Sequence, residues 1–450
     1  MSNKKPTKQL STRKIIILFR LFFRKHPAIP YLFRWLFISS AIGTCIGLAS
    51  AGFLLTLDYV THFREAHLWI IALLPVGGFI IGLLYQYFGK SVEGGNNLLI
   101  DTIHQPQATI PFRMAPFVYI GTIVTHLLGG SAGREGTALQ MAGAIADQFS
   151  KPFRLSATDR KVLIIAAVAA GFGSVFGTPL AGAVFGLEFF LVGRLRYNAI
   201  LPAFLAATIA DLVTKLCQVQ HTVYHIAVVP ELSAVHLLYA IIAGIAFGLC
   251  AATFSKVINY IGGLFKTYVS YAPLRPVIGG IIVAAAVWGI QTSKYIGLGI
   301  PTIVQAFNEP LPPYDFVLKM SFTIITLAAG FKGGEVTPLF FIGATLGNAL
   351  AYFIPLPLGL LTGMGFVAVF AGATNTPLAC MLMGIELFGQ ECSIYVALAC
   401  VVAYLLSGHT TIYQKQVIGE PKHSRFSNDE GKRMNELKTN QKNNISGKWL

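Results

Sequence analysis

Long apolar runs, broken by glycine and proline rather than by charge, fill the chain from about residue 35 to about residue 410. They lack the ten-residue apolar–polar alternation of a membrane-spanning strand. Such runs can lie in lipid only as helices, which satisfy their own backbone hydrogen bonds. Hydrophobic residues make up 54% of the 450 and charged residues 12%, about half the charged share of a soluble domain. So few charges cannot cover a water-facing surface of this size. The expected class is an all-α polytopic membrane protein; a disordered chain, a collagen-like repeat and a disulfide scaffold are excluded.

The net charge of +15 sits largely at the ends. Nine Lys and Arg fall between Met1 and Arg34, and no acid precedes Asp58; eight more fall between Lys415 and Leu450, against four acids. By the positive-inside rule both termini are cytoplasmic and the number of full crossings is even. The expected organisation is a basic cytoplasmic segment over 1–33, two transmembrane repeats over 34–220 and 221–413, and a polar cytoplasmic tail over 414–450 that is solvated and disordered. A cleavable signal peptide is not expected, because no small-residue cleavage site follows a short apolar core. The six cysteines lie in apolar stretches with no C-x-x-C pair, and His104, His221 and His225 show no ligand spacing; no metal and no cofactor are expected. The basic ends lack aromatic interleaving, so nucleic acid is not an expected partner.

At about 20 residues per crossing, the apolar block holds roughly fourteen to eighteen helices. Ordinary spans are predicted over 35–57, 69–88, 199–216 and 237–254. The stretches 114–147 and 167–193 are too rich in glycine for that and predict broken or re-entrant helices. Their non-helical backbone is tolerated only beside protein or an aqueous cavity.

An internal repeat runs through these breaks. Thr178-Pro179-Leu180-Ala181 followed by Gly186-Leu187-Glu188 recurs 198 residues later as Thr376-Pro377-Leu378-Ala379 followed by Gly384-Ile385-Glu386. Gly133, Glu135, Thr137 and Gly143 match Gly333, Glu335, Thr337 and Gly343 at an offset of 200. Gly95, in the run 93–97, has a counterpart in the run 297–301. Repeats with interrupted helices at matching positions point to a secondary transporter or a related channel whose substrate binds where the breaks meet.

A broken helix exposes amide N–H groups and the positive end of its dipole, which together bind an anion without a full positive charge. The breaks at 94–97, 133–137, 297–301 and 333–338 have this form; the plainer alternative is tight helix packing on small residues. Glu135 adds an ionisable group at membrane depth, by default a functional one. Beside a helix N-terminus its carboxylate can stand in the place of a bound anion and leave on protonation, so that one residue serves as gate, competitor and proton carrier. Its neighbour Arg134 offers a structural ion pair instead. Glu188 and Glu386 are read as structural carboxyls bonding backbone N–H groups.

The run Gly133-Arg134-Glu135-Gly136-Thr137 resembles the G-R-E-G-P signature of the CLC chloride channels and transporters. Gly334-Glu335-Val336-Thr337-Pro338 is similar to their G-x-F-x-P motif, and Gly94 to Asn97 stands where they carry G-S-G-I-P. The resemblance spans about 34–413. It implies inverted repeats, a homodimer with one anion pathway per subunit, and the cell (inner) membrane of a prokaryote. It places the gating glutamate at Glu135, backbone donors around Gly95, Asn96, Gly136, Glu335 and Val336, and the inner tyrosine at Tyr413.

The departures resemble the fluoride-exporting branch of that family. Asn96, within Gly95-Asn96-Asn97, replaces a serine; Thr137 replaces a proline; Glu335 replaces an apolar residue; and Phe189 follows Glu188 where chloride/proton exchangers carry an internal glutamate. Fluoride is small and strongly hydrated, so its site must supply short, strong hydrogen bonds. Asn96 and Thr337 offer an amide and a hydroxyl. Glu335, protonated or bonded to Thr337 or Asn96, can orient donors or pass a proton. The expected function is fluoride/proton antiport; the alternative is a chloride/proton antiporter or chloride channel of the same fold. No enzymatic activity is expected. The G-x-S-x-G run at 129–133, with His126 nearby, sits in helical membrane sequence rather than on the strand-to-helix turn of a hydrolase.

Overall fold

The computed structural model describes residues 28–105 and 109–437. The basic segment expected over 1–33 lies outside the described residues up to residue 27, as does the tail beyond residue 437. Sixteen α-helices form among the described residues, in two series of eight. The first comprises α1 (Ala28–Ala66), α2 (Leu74–Phe88), α3 (Asn96–His104), α4 (Met114–Leu127), α5 (Glu135–Asp147), α6 (Ala157–Phe176), α7 (Pro179–Glu188) and α8 (Ile200–Leu216). The second comprises α9 (Ala234–Tyr268), α10 (Leu274–Ile290), α11 (Ile300–Ala306), α12 (Asp315–Ala328), α13 (Val336–Leu350), α14 (Leu358–Thr374), α15 (Pro377–Phe388) and α16 (Ser393–Leu406). Each series opens with a very long helix, of 39 and 35 residues, and places its shortest third, of 9 and 7.

Among the described residues, four segments are long and apolar enough to cross a membrane: Ala28–Ala66, Leu68–Phe88, Tyr197–Leu216 and Ala234–Tyr268. They contain the four spans expected from the sequence. Their outward faces carry Phe37, Leu55, Ile80 and Leu249, large apolar side chains left exposed and suited to lipid. The centre is formed by α6 and α14, which are buried on every side along most of their length. Here α13 and α14 approach backbone to backbone: a Cβ on Gly343 would fall 2.0 Å from the carbonyl oxygen of Gly365, so only glycine fits.

The two series are related head to tail. α6 and α14 both end on a left-handed residue, Gly177 (φ 71°) and Asn375 (φ 62°), and the chain restarts two residues later at Pro179 and Pro377. Glycine, and less freely asparagine, tolerates that conformation, and proline is suited to the first helical turn. Glu188, at the end of α7, accepts hydrogen bonds from Leu378 N (3.1 Å) and Ala379 N (3.0 Å) at the start of α15. Glu386, near the end of α15, accepts from Leu180 N (3.0 Å) and Ala181 N (2.7 Å) at the start of α7. Each carboxylate therefore satisfies open amides of the opposite repeat, the structural role read from the sequence.

The tail departs from expectation. Residues 414–437 fold back on the helices instead of remaining disordered. β2 (Val417–Ile418) pairs in parallel with β1 (Leu191–Val192), and Val417 bridges Arg433. The buried side chain of Gln416 donates to Phe189 O (2.9 Å) and Thr374 O (2.8 Å) and accepts from Thr411 Oγ1 (2.7 Å). Charge counting could not see this anchor, because it is a single uncharged amide with four backbone and side-chain partners. Arg433 and Lys415 also reach Asp101 of α3, at 3.0 and 3.5 Å.

Candidate functional site

The breaks before α5 and α13 meet at the centre. Gly133 N donates to Gly334 O (2.6 Å) and Gly334 N to Gly133 O (2.7 Å), a two-residue antiparallel bridge. This contact shifts the repeat by one position from the match of residue types. α5 starts at Glu135 and α13 at Val336, so Arg134 and Glu335 occupy the equivalent capping positions. Glu135 thus corresponds in place to Val336, not to Glu335. The shared Gly-x-Glu-x-Thr spelling concealed the offset.

Glu135 is 0% exposed. Its carboxylate turns back to the helix starts: Oε2 accepts from Thr337 N (3.1 Å) and Arg134 N (3.1 Å), and Oε1 accepts a short hydrogen bond from Thr337 Oγ1. Arg134 Nε stands 3.6 Å from Oε1, so the ion pair considered from the sequence is present as well, but longer than the hydrogen bonds. The first-turn donors of α13 are therefore occupied by a carboxylate from the other repeat. The sequence offers the Thr337 hydroxyl as an anion donor, with Glu335 bonded to Thr337 or Asn96; the structure gives that hydroxyl to Glu135.

Two cavities reach neighbours of this carboxylate, Glu335 in one and Arg134 in the other. On the side of the folded tail, a cavity of about 160 Å³ is lined by Gly95, Asn96, Asn97, Gln140, Glu335 and Tyr413, among others. The wider one, of about 590 Å³, is lined by Arg64, Arg134, Leu298 and Pro301 among others. Gly95 caps α3 with φ 56° and ψ −132°, a conformation open to glycine alone, and turns Asn96 toward the start of α5. Asn96 Oδ1 is buried without a hydrogen-bond partner, and a Cβ on Gly136 would meet Asn96 Nδ2 at 3.2 Å. The hydroxyl of Tyr413 is likewise buried and unpartnered, its ring edge-on to Phe189 at 4.8 Å. Asn97 accepts from Lys415 N (3.0 Å) and so ties α3 to the segment carrying Tyr413.

Two expected positions have further partners. The hydroxyl of Thr137 is bonded to Thr122 of α4 (2.6 Å) and ties α4 to α5. The break at 297–301 faces the wider cavity and holds a cation. Lys319 Nζ, fully buried, donates to Gly297 O (2.7 Å) and Tyr295 O (3.1 Å). Buried Arg64 donates to His126 O (2.9 Å). Neither Lys319 nor Arg64 was singled out in the sequence, although the rule that drew attention to Glu135 applies equally to Lys319. The hydroxyl of Ser131 pairs with Thr323 (2.9 Å), and the ring of His126 faces Gly133 O (3.5 Å).

Known proteins are similar to this chain in sequence and in fold. The sequence model of the family described as voltage gated chloride channel matches residues 77–408. A chloride/fluoride channel protein of Pseudomonas syringae pv. tomato is 52% identical over 403 residues, 88% of this chain and 89% of that one. The crystal structure of a CLC-type fluoride/proton antiporter superposes with a TM-score of 0.83 at 34% identity, covering 86% of this chain and 98% of the other. A slow cyanobacterial Cl−/H+ antiporter shares the fold with a TM-score of 0.72 at 19% identity, over 83% and 94% of the two chains. The paired breaks, the reciprocal glutamates and these similarities have one reading: the chain belongs to the voltage gated chloride channel family.

Proposed function

We propose that the protein is a proton-coupled fluoride exporter of a prokaryotic cell membrane, a fluoride/proton antiporter with Glu135 as its gate. The observation that carries this reading is the seat of the Glu135 carboxylate. Two backbone amides and a hydroxyl converge on it, and those are the donors a small, strongly hydrated anion needs. Protonated, Glu135 loses the charge that holds it there; fluoride can then take the same donors. Deprotonation returns the carboxylate and expels the anion. One anion thus moves against one returning proton, with the two cavities as approaches.

In this reading Gly95, Asn96, Asn97, Gly133, Arg134, Gly136, Thr137, Glu335, Val336, Thr337 and Tyr413 form or frame the pathway. Asn96 and Tyr413 supply donors from the tail side, and Glu335 orients them or relays the proton. The protein works as a homodimer with both termini cytoplasmic, and as a transporter rather than an enzyme. The relative named as a chloride/fluoride channel supports the second reading, chloride transport or conduction on the same fold.

Efflux from proteoliposomes separates these. Fluoride loss should outpace chloride loss and should accelerate when the outside is made acidic. Glu135→Gln should abolish the pH dependence. Chloride efflux as fast as fluoride efflux would favour the second reading, and unaltered exchange in the variant would remove the gate.

A further inference from the structure

The charged lining of the tail-side cavity raises a difficulty for any anion. Glu93 and Glu335 both face it, and a cavity lined by two carboxylates alone would repel a halide. Among the described residues one cation, Lys332, lines the same cavity. It sits immediately before the Gly333-Gly334 break, and its ammonium rests 3.9 Å from the centre of the Tyr85 ring. Its stem runs against Gly121 of α4, where a Cβ would come within 2.8 Å of Lys332 Cγ. The lysine is therefore positioned by an aromatic face and by a missing side chain.

Its ammonium also has no oxygen partner at contact distance among the described residues. Four other buried or half-buried cations have oxygen partners: Arg160 on Asp147 (2.7 Å), Lys294 on Asp315, Lys319 and Arg64 on backbone carbonyls. Lys332 makes no ion pair and no hydrogen bond among the described residues; its contact is the π face of Tyr85. A cation held by an aromatic ring keeps its field for whatever enters beside it.

We propose that Lys332 sets the positive potential of the tail-side cavity, draws the anion into it past Glu93 and Glu335, and so determines apparent affinity on that side. The proposal rests on the transport reading above. Lys332 is a positioning charge: it acts on the anion before the Glu135 seat opens and takes no part in the proton exchange.

The test is initial fluoride efflux from proteoliposomes loaded with a series of sodium fluoride concentrations. Lys332→Gln should raise the KM for fluoride about five-fold, the effect of one unit charge acting across several ångströms of a water-lined cavity, while the maximal rate falls by less than about two-fold. Lys332→Arg should restore the wild-type KM. Glu93→Gln removes a repelling charge from an exposed position and should lower the KM by a smaller factor. The wild-type KM should rise between about 20 and 300 mM of an inert salt as the potential is screened, and the Lys332→Gln KM should rise less. A Lys332→Gln KM equal to that of the wild type overturns the proposal. Should that variant not fold, an unchanged or raised KM in Glu93→Gln overturns it instead. Absence of fluoride efflux from the wild type would count against the transport reading itself, so the two failures are distinguishable.

Discussion

Thr337 holds the carboxylate of Glu135 with two donors at once, its own amide at 3.1 Å and its hydroxyl through a short hydrogen bond. The donor belongs to one repeat and the acceptor to the other, so the contact that seats the carboxylate is also a contact between the halves. Replacing Thr337 by Val keeps the amide and the shape and removes the hydroxyl. A hydrogen bond to a charged group contributes about 1.5–3 kcal/mol, so the carboxylate should leave its seat more readily. The expected outcome is looser coupling, more fluoride moved per proton, measured by recording fluoride efflux and proton uptake in the same vesicles.

Asn96 presents its side chain to the tail-side cavity with an unpartnered oxygen and an amide beside Gly136. Asn96→Ser substitutes a shorter donor for a longer one. The loss of about 1 kcal/mol of hydrogen bonding to the smaller halide corresponds to a drop of roughly five-fold in the fluoride/chloride preference. Competition efflux with both halides measures the ratio, and an unchanged ratio would remove Asn96 from the pathway.

The folded tail offers two kinds of anchor, and magnitudes decide between them. Asp101 pairs with Arg433 and Lys415 at a part-exposed site, where an ion pair is worth about 0–1 kcal/mol. Gln416 is fully buried and serves four partners; its replacement by Leu strands two carbonyls at about 1–3 kcal/mol each. Gln416→Leu should therefore lower the thermal midpoint in detergent well below that of Asp101→Asn. A larger loss in Asp101→Asn would mean that charge, not the amide, holds the tail.

Glu188 is more buried than Glu386, at 6% exposure against a half-buried position. Both serve two amides, so Glu188→Ala should cost more stability than Glu386→Ala, because its abandoned amides find less water. Thermal unfolding of the two variants side by side checks the order.

Much of this was legible in the sequence because the same physical problem is solved twice. Thr-Pro at a helix start and a glutamate nine residues on recur in both halves, and both copies form the same reciprocal contact. The Gly-x-Glu-x-Thr match was legible as letters but not as geometry, since only the bridge between Gly133 and Gly334 fixes the register. Thr137 and Thr337 look alike in the sequence, yet one bonds Thr122 and the other Glu135; which hydroxyl faces which carboxylate depends on how α5 and α13 cross. Lys319 and Lys332 lie in apolar runs like any snorkelling lysine, and their burial becomes visible only once the second repeat is laid against the first. The tail escaped detection because its anchoring residue carries no charge.

The exchange of carboxylates between α7 and α15 bears on how the chain is assembled. Until Leu378 and Ala379 have been synthesised, Glu188 has nothing to hold, and the opening turn of α7 waits for Glu386. Neither half can satisfy these helix starts in isolation. The open amides of each are closed only once the other lies beside it, so the two repeats are complete only as a pair.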